Sequence, residues 1–108
     1  MYDPKSFTLD GQVALVTGAG AGIGRGIAEM FAGAGAAVVV SDLHAETAEA
    51  VAAEIEKAGG RAAGLACNVT KEEDLQAAVQ LAVDRFGKLT ILVNNAGGGG
   101  PKPFDMPM

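Results

Sequence analysis

Apolar residues along this chain fall into short unbroken runs that alternate with spaced stripes. Val13-Ala14-Leu15-Val16 is the first run, uncharged and following an Asp10-Gly11 turn. Similar runs at 36–41, 61–67 and 89–93 complete a set of four predicted strands. The stripes between them have helical spacing. Over 22–34, Ile23, Ile27, Met30, Phe31 and Ala34 recur every three or four residues and predict a helix with that face inward. Over 45–58, Ala48, Val51, Ala52 and Ile55 form the apolar face, with Glu46, Glu49, Glu54, Glu56 and Lys57 in water. A third helix, ending near Phe86, turns Leu75, Ala78, Val79, Ala82 and Phe86 inward. Thr70-Lys71-Glu72-Glu73 has the form of a capping box at its start, with Thr70 and Glu73 as reciprocal partners. Gly33 with Gly35, then Gly59-Gly60, then Gly87 stop the three helices. The order is β-α-β-α-β-α-β. Right-handed crossovers make that a parallel α/β sheet with helices on both faces and strand order 3-2-1-4. No linker or repeat divides residues 1–108, which read as one unit.

The first strand runs into Thr17-Gly18-Ala19-Gly20-Ala21-Gly22-Ile23-Gly24. Gly18, Gly22 and Gly24 carry the spacing G-x-x-x-G-x-G. One glycine permits the sharp turn, one lets backbone approach a pyrophosphate, and one allows close packing of the helix. The helix that follows offers free N–H groups and a partial positive charge to an anion. A tight strand-to-helix turn with no ligand could use the same glycines. Context favours a ligand: the second strand ends in Asp42, an acid about 20 residues on, where a ribose diol is held. The fold class is thus a Rossmann-type doubly wound sheet. The Asp42 carboxylate can accept from both ribose hydroxyls and would repel a 2′-phosphate. No Lys or Arg between Gly18 and Gly24 offsets that repulsion, so NAD is expected over NADP. Arg25 follows on the helix, where it reads as solvent-exposed.

Composition narrows the partners. The formal net charge is −5 and no basic run occurs, which argues against nucleic acid. No apolar stretch approaches about 18 residues, so no membrane span is expected. Met1 to Thr8 has no apolar core of the signal-peptide kind. The single cysteine, Cys67, excludes an internal disulfide and reads as a small buried hydrophobe, and a reducing, cytoplasmic setting is expected. His44 is the only histidine, so no metal site is expected; it is a turn residue in water or a contact to adenosine.

Thr17-Gly18-x-x-x-Gly22-Ile23-Gly24, Asp42, Asn68-Val69 and Asn94-Asn95-Ala96-Gly97, in that order, resemble the short-chain dehydrogenase/reductase family. The resemblance covers the chain from about Leu9. It implies that Gly18, Gly22, Ile23 and Gly24 contact the pyrophosphate and that Asp42, with Leu43 beside it, holds the adenosine ribose. It implies that Asn68 and Val69 take the adenine, where many relatives have Asp in place of Asn68. Asn95, Ala96 and Gly97 would line the cofactor toward its nicotinamide, and Gly99 would lie near substrate. The glycine turn together with the tail from Asn94 to Met108 resembles the family's hydroxysteroid dehydrogenases. That implies a secondary alcohol/ketone substrate, in particular the 7α-hydroxyl of a bile-acid steroid, and a homotetramer. β-Ketoacyl-acyl-carrier-protein reductases share most of these motifs, although Asp42 opposes their usual NADP preference. A non-catalytic NAD-binding module is the reading from another class.

The family's catalytic Ser and Tyr-x-x-x-Lys have no counterpart here. Tyr2 has no Lys four residues on, and Ser6 and Ser41 stand elsewhere in the pattern. No catalytic residue is therefore expected within 1–108. An apolar fourth strand at the edge would leave its pairing groups open. The chain is accordingly expected to continue beyond Met108 as the same domain.

Overall fold

The computed structural model describes residues 8–95. Four parallel strands form one sheet in the order β3-β2-β1-β4. They are β1 (Val13–Val16), β2 (Ala37–Asp42), β3 (Arg61–Ala66) and β4 (Ile91–Val93). Helices α1 (Gly22–Gly33), α2 (Ala45–Lys57) and α3 (Glu72–Phe86) make the crossovers. Both the α/β class and the strand order match what the alternation predicts.

Strand alternation sorts the core into two layers. Val16, Val38 and Val40 face one side, where Ala28 and Ala32 of α1 and Ala48, Val51, Ala52 and Ile55 of α2 cover them. Val13, Leu15, Ala37 and Val39 face the other, against Ala78 and Ala82 of α3 and Cys67. Because β1 and β2 are covered on both faces, their side chains are almost wholly buried. α2 buries the four residues its periodicity predicts.

The inward face of α1 differs from the one expected. Gly24, Ala28 and Ala32 are its buried residues, whereas Ile23 is 77% and Met30 63% exposed. Ile27 and Phe31 pack at the margin of the core. The helix sits so close to the sheet that only small residues fit between them. That rotates the stripe by about one residue from the bulky positions. The same holds in α3, where Ala78 and Ala82 are buried and Val79 is partly in water.

The expected capping box is absent as well. α3 begins one residue later than Thr70-x-x-Glu73 requires, with Lys71 at the N-cap and no side-chain cap bond. Asn68 is the cause. Its Oδ1 accepts from the Thr70 N–H at 2.9 Å and from the Thr70 hydroxyl at 2.6 Å. The Thr70 oxygen is thus turned away from the helix. Asp74 instead reaches back to accept from the Asn68 N–H at 2.9 Å.

Candidate functional site at the carboxyl edge of the sheet

Strand register assembles the site. Val16 pairs with Val40 on one side and with Val93 on the other. Asp42 pairs with Ala66. The residues just past these pairs therefore emerge along one edge: Thr17 to Gly24, Asp42 with Leu43, Asn68 with Val69, and Asn94 with Asn95. This is the edge where open parallel sheets bind ligands.

The turn from β1 into α1 is built from glycines with distinct functions. Gly18 (φ +62°) and Gly22 (φ +61°) are left-handed, a conformation that side chains resist. A side chain built on Gly22 would meet nothing within 4 Å, so the backbone there faces open space. Gly24 is the opposite case. A Cβ at that position would overlap the Gly18 carbonyl oxygen and lie 2.5 Å from the Asn95 side-chain nitrogen. The third glycine thus lets α1 press on the turn itself rather than on the sheet.

α1 begins without a cap. Ala21 occupies the N-cap with no side-chain bond, and no acid lies in the first turn. The helical ladder opens with Arg25 N–H to the Ala21 carbonyl at 3.3 Å. Helix geometry leaves the N–H groups of Gly22, Ile23 and Gly24 without partners in the ladder. A helix start with these donors and no neutralising carboxylate suits an anion. Arg25 pairs with Glu29 at 2.9 Å on the outer surface of α1.

Asp42 faces this turn. Its Oδ1 accepts from the Gly20 N–H at 3.3 Å. Two bonds beneath fix the height of the turn over β2: Ala19 N–H to the Ser41 carbonyl at 2.9 Å, and the buried Ser41 hydroxyl to the Val16 carbonyl at 3.2 Å. Leu43, next in the chain, is 65% exposed although apolar. Asn68 stands past the end of β3 with its side-chain oxygen engaged by Thr70, and Val69 packs on the core layer beneath α3. His44 is exposed and forms the N-cap of α2 without a side-chain bond.

On the other side of β1, Thr17 connects three segments. It is 1% exposed. Its oxygen accepts from the Asn95 N–H at 2.9 Å, and its hydroxyl lies within donating reach of Asn94 Oδ1 at 3.2 Å. Asn95 Nδ2 donates in turn to the Gly18 carbonyl at 3.2 Å. Asn95 is thereby tied to the same turn as Gly24. Ala96, Gly97 and Gly99 lie outside the described residues.

Thus Gly18, Gly22, Ile23, Gly24, Asp42, Leu43 and Asn95 lie along one edge of the sheet, with Asn68 and Val69 further along it. Thr17 and Gly20 are bonded to Asn95 and Asp42 along the same edge, and the glycine spacing alone does not mark them. Their signal is chemical: a lone hydroxyl at the end of an apolar strand, and a fourth glycine outside the motif. Among the described residues, no group of three His, Cys, Asp or Glu could hold a metal ion. None of their helices is long and apolar enough to cross a membrane.

A parallel sheet of this order with a glycine turn at its first crossover defines a Rossmann-type α/β protein. The family model for short chain dehydrogenase matches residues 12–106, and the chain belongs to that family. It is 55% identical over 108 residues to the 7α-hydroxysteroid dehydrogenase of Escherichia coli K12, covering all of this chain and 42% of that protein. It is 48% identical over 91 residues to the D-threitol dehydrogenase of Mycolicibacterium smegmatis, covering 84% of this chain and 35% of that one. A solved 7α-hydroxysteroid dehydrogenase complexed with NADH and 7-oxo glycochenodeoxycholic acid superposes with a TM-score of 0.86 at 54% identity. That match covers 99% of this chain and 42% of the other. The chain therefore spans less than half the length of these relatives.

Proposed function

We propose that residues 1–108 are the cofactor-binding part of an NAD-dependent short-chain dehydrogenase whose chain continues beyond Met108. The carrying observation is the pairing of an acid-free helix start with an ordered carboxylate: the unladdered N–H groups at Gly22 to Gly24, and Asp42 held to the Gly20 N–H at 3.3 Å. A diphosphate fits the first, and the vicinal hydroxyls of a ribose fit the second. The open space at Gly22 leaves room for the diphosphate to approach the backbone. Ile23 and Leu43, exposed and apolar, are suited to burial under a bound dinucleotide. Asn68 and Val69 would flank the adenine, and Asn95, Ala96 and Gly97 the path toward nicotinamide.

Asp42 favours NAD over NADP by repelling a 2′-phosphate, and Arg25, already paired with Glu29, does not counter it. When bound, the nicotinamide supplies hydride acceptance and donation. This chain's own residues bind and orient it, and the Ser, Tyr and Lys that handle the substrate proton would lie past Met108. The 108 residues alone should be inactive. The substrate would be a secondary alcohol/ketone pair. The likeness to 7α-hydroxysteroid dehydrogenase supports the 7α-hydroxyl of a bile-acid steroid, with Gly99 near it. The full-length protein would be a homotetramer, and the lone free cysteine, Cys67, is compatible with a reducing, cytoplasmic setting.

Steady-state NADH formation by the full-length protein from cholic acid, compared with a simple secondary alcohol, tests the substrate. Turnover restricted to the steroid is expected; turnover of the simple alcohol alone would refute it. Asp42→Ala should move cofactor preference toward NADP, and an unchanged preference would refute the role given to this carboxylate.

A further inference from the structure

Gly20 is the one glycine of the turn whose identity neither the spacing motif nor the backbone explains. Gly18 and Gly22 have positive φ, while Gly20 does not, so any residue could adopt its conformation. Nor does it bring α1 against the turn, as Gly24 does. Yet Gly20 is buried, and a Cβ there would have no room. It would lie 2.8 Å from Asp42 Cγ, 2.9 Å from Asp42 Oδ2 and 2.6 Å from the Thr47 methyl. The missing side chain leaves space for one neighbouring carboxylate, and the N–H of the same residue donates to that carboxylate at 3.3 Å. Thr47, half-buried in the first turn of α2, closes the other side.

We propose that Gly20 is a positioning residue for cofactor selection: its bare Cα and its N–H seat the Asp42 carboxylate, with the Thr47 methyl limiting where any added side chain could go. This rests on the reading that Asp42 takes the ribose hydroxyls of NAD. A carboxylate that chooses between a diol and a phosphate must be held in place, because a mobile one can swing away from the phosphate and lose its power to reject it. The Gly20 N–H supplies a fixed donor to one oxygen, leaving the other for the sugar. Any side chain at 20 takes the space in which the carboxylate rests, with Thr47 behind it.

The test is a fluorescence titration of full-length protein with NADH and with NADPH, for wild type, Gly20→Ala, Asp42→Ala and the double variant. Wild type should bind NADH more tightly. Gly20→Ala should lower the ratio of NADH to NADPH affinity about tenfold, as expected for loss of one charge-assisted hydrogen bond. In the Asp42→Ala background the same change should leave the ratio where it was. A role in folding alone would weaken both cofactors equally or act the same in both backgrounds, and either result overturns the proposal. Wild type with no preference for NADH would overturn the reading of Asp42 and this inference together. If Gly20→Ala does not fold, Asp42→Glu decides. Its longer arm keeps the charge but carries the carboxylate past the Gly20 N–H, so the NADH preference should fall; a preserved preference overturns the proposal.

Discussion

Gly24 and Gly26 lie two residues apart in α1, and the same substitution at each should move stability in opposite directions. Both have negative φ, so alanine imposes no backbone strain at either. In a helix interior, glycine to alanine contributes about 1 kcal/mol. At Gly26 the new methyl meets nothing within 4 Å, so Gly26→Ala should realise that gain in full. At Gly24 the methyl overlaps the Gly18 carbonyl oxygen, which is backbone and cannot swing aside. It also comes within 2.5 Å of Asn95 Nδ2, which could retreat only by giving up its bond to Gly18. Overpacking of this kind costs about 1–3 kcal/mol, and the hydrogen bond about 1 more. Against the helical gain, Gly24→Ala should be less stable than wild type by about 1–3 kcal/mol, and less stable than Gly26→Ala by about 2–4. Urea unfolding followed by far-UV circular dichroism reads the difference as a change in midpoint at constant slope. A Gly24→Ala protein as stable as Gly26→Ala would refute the close contact between α1 and the turn.

Two further outcomes follow from buried groups. Thr17→Val keeps the shape but leaves the Asn95 N–H without its acceptor at 2.9 Å, which should cost about 1–3 kcal/mol in the same unfolding assay. The Cys67 thiol is pushed above its ordinary range by burial and, secondarily, by the Asp74 carboxylate. The thiol stays protonated to higher pH in the folded state than in the unfolded one. Its contribution to stability is complete below about pH 8.5, where the unfolded thiol ionises, and is lost as pH rises through the folded value. Unfolding free energies measured from neutral to alkaline pH should fall more steeply for wild type than for Cys67→Ala; identical slopes would contradict the shift.

Much of this fold is legible in the residues because strand and helix periods are so different. Val13 to Val16 has no polar break, and α2 separates Ala48, Val51, Ala52 and Ile55 from its glutamates. What the pattern misreads is distance. Ile23 and Met30 look like core because they are large and apolar, yet the helix approaches too closely for them, and Ala28 and Ala32 take the interior. Hydrophobicity ranks residues by how much they gain from burial, not by what fits. The start of α3 departs from its pattern for a different reason. Thr70 has the right type and spacing for a cap, but Asn68, two residues earlier, competes for its hydroxyl. At the site, Asp42 and the three spaced glycines can be recognised by position, whereas Gly20 and Thr17 act through partners about 22 and 78 residues away in sequence, which spacing does not reveal.

A crystal structure of the full-length protein grown with NAD tests the central claim most directly. The diphosphate should rest on the N–H groups of Gly22, Ile23 and Gly24, with both ribose hydroxyls on the Asp42 carboxylate and Gly20 still donating to it. A dinucleotide bound away from the start of α1, or bound there with its adenosine ribose out of reach of Asp42, would contradict it.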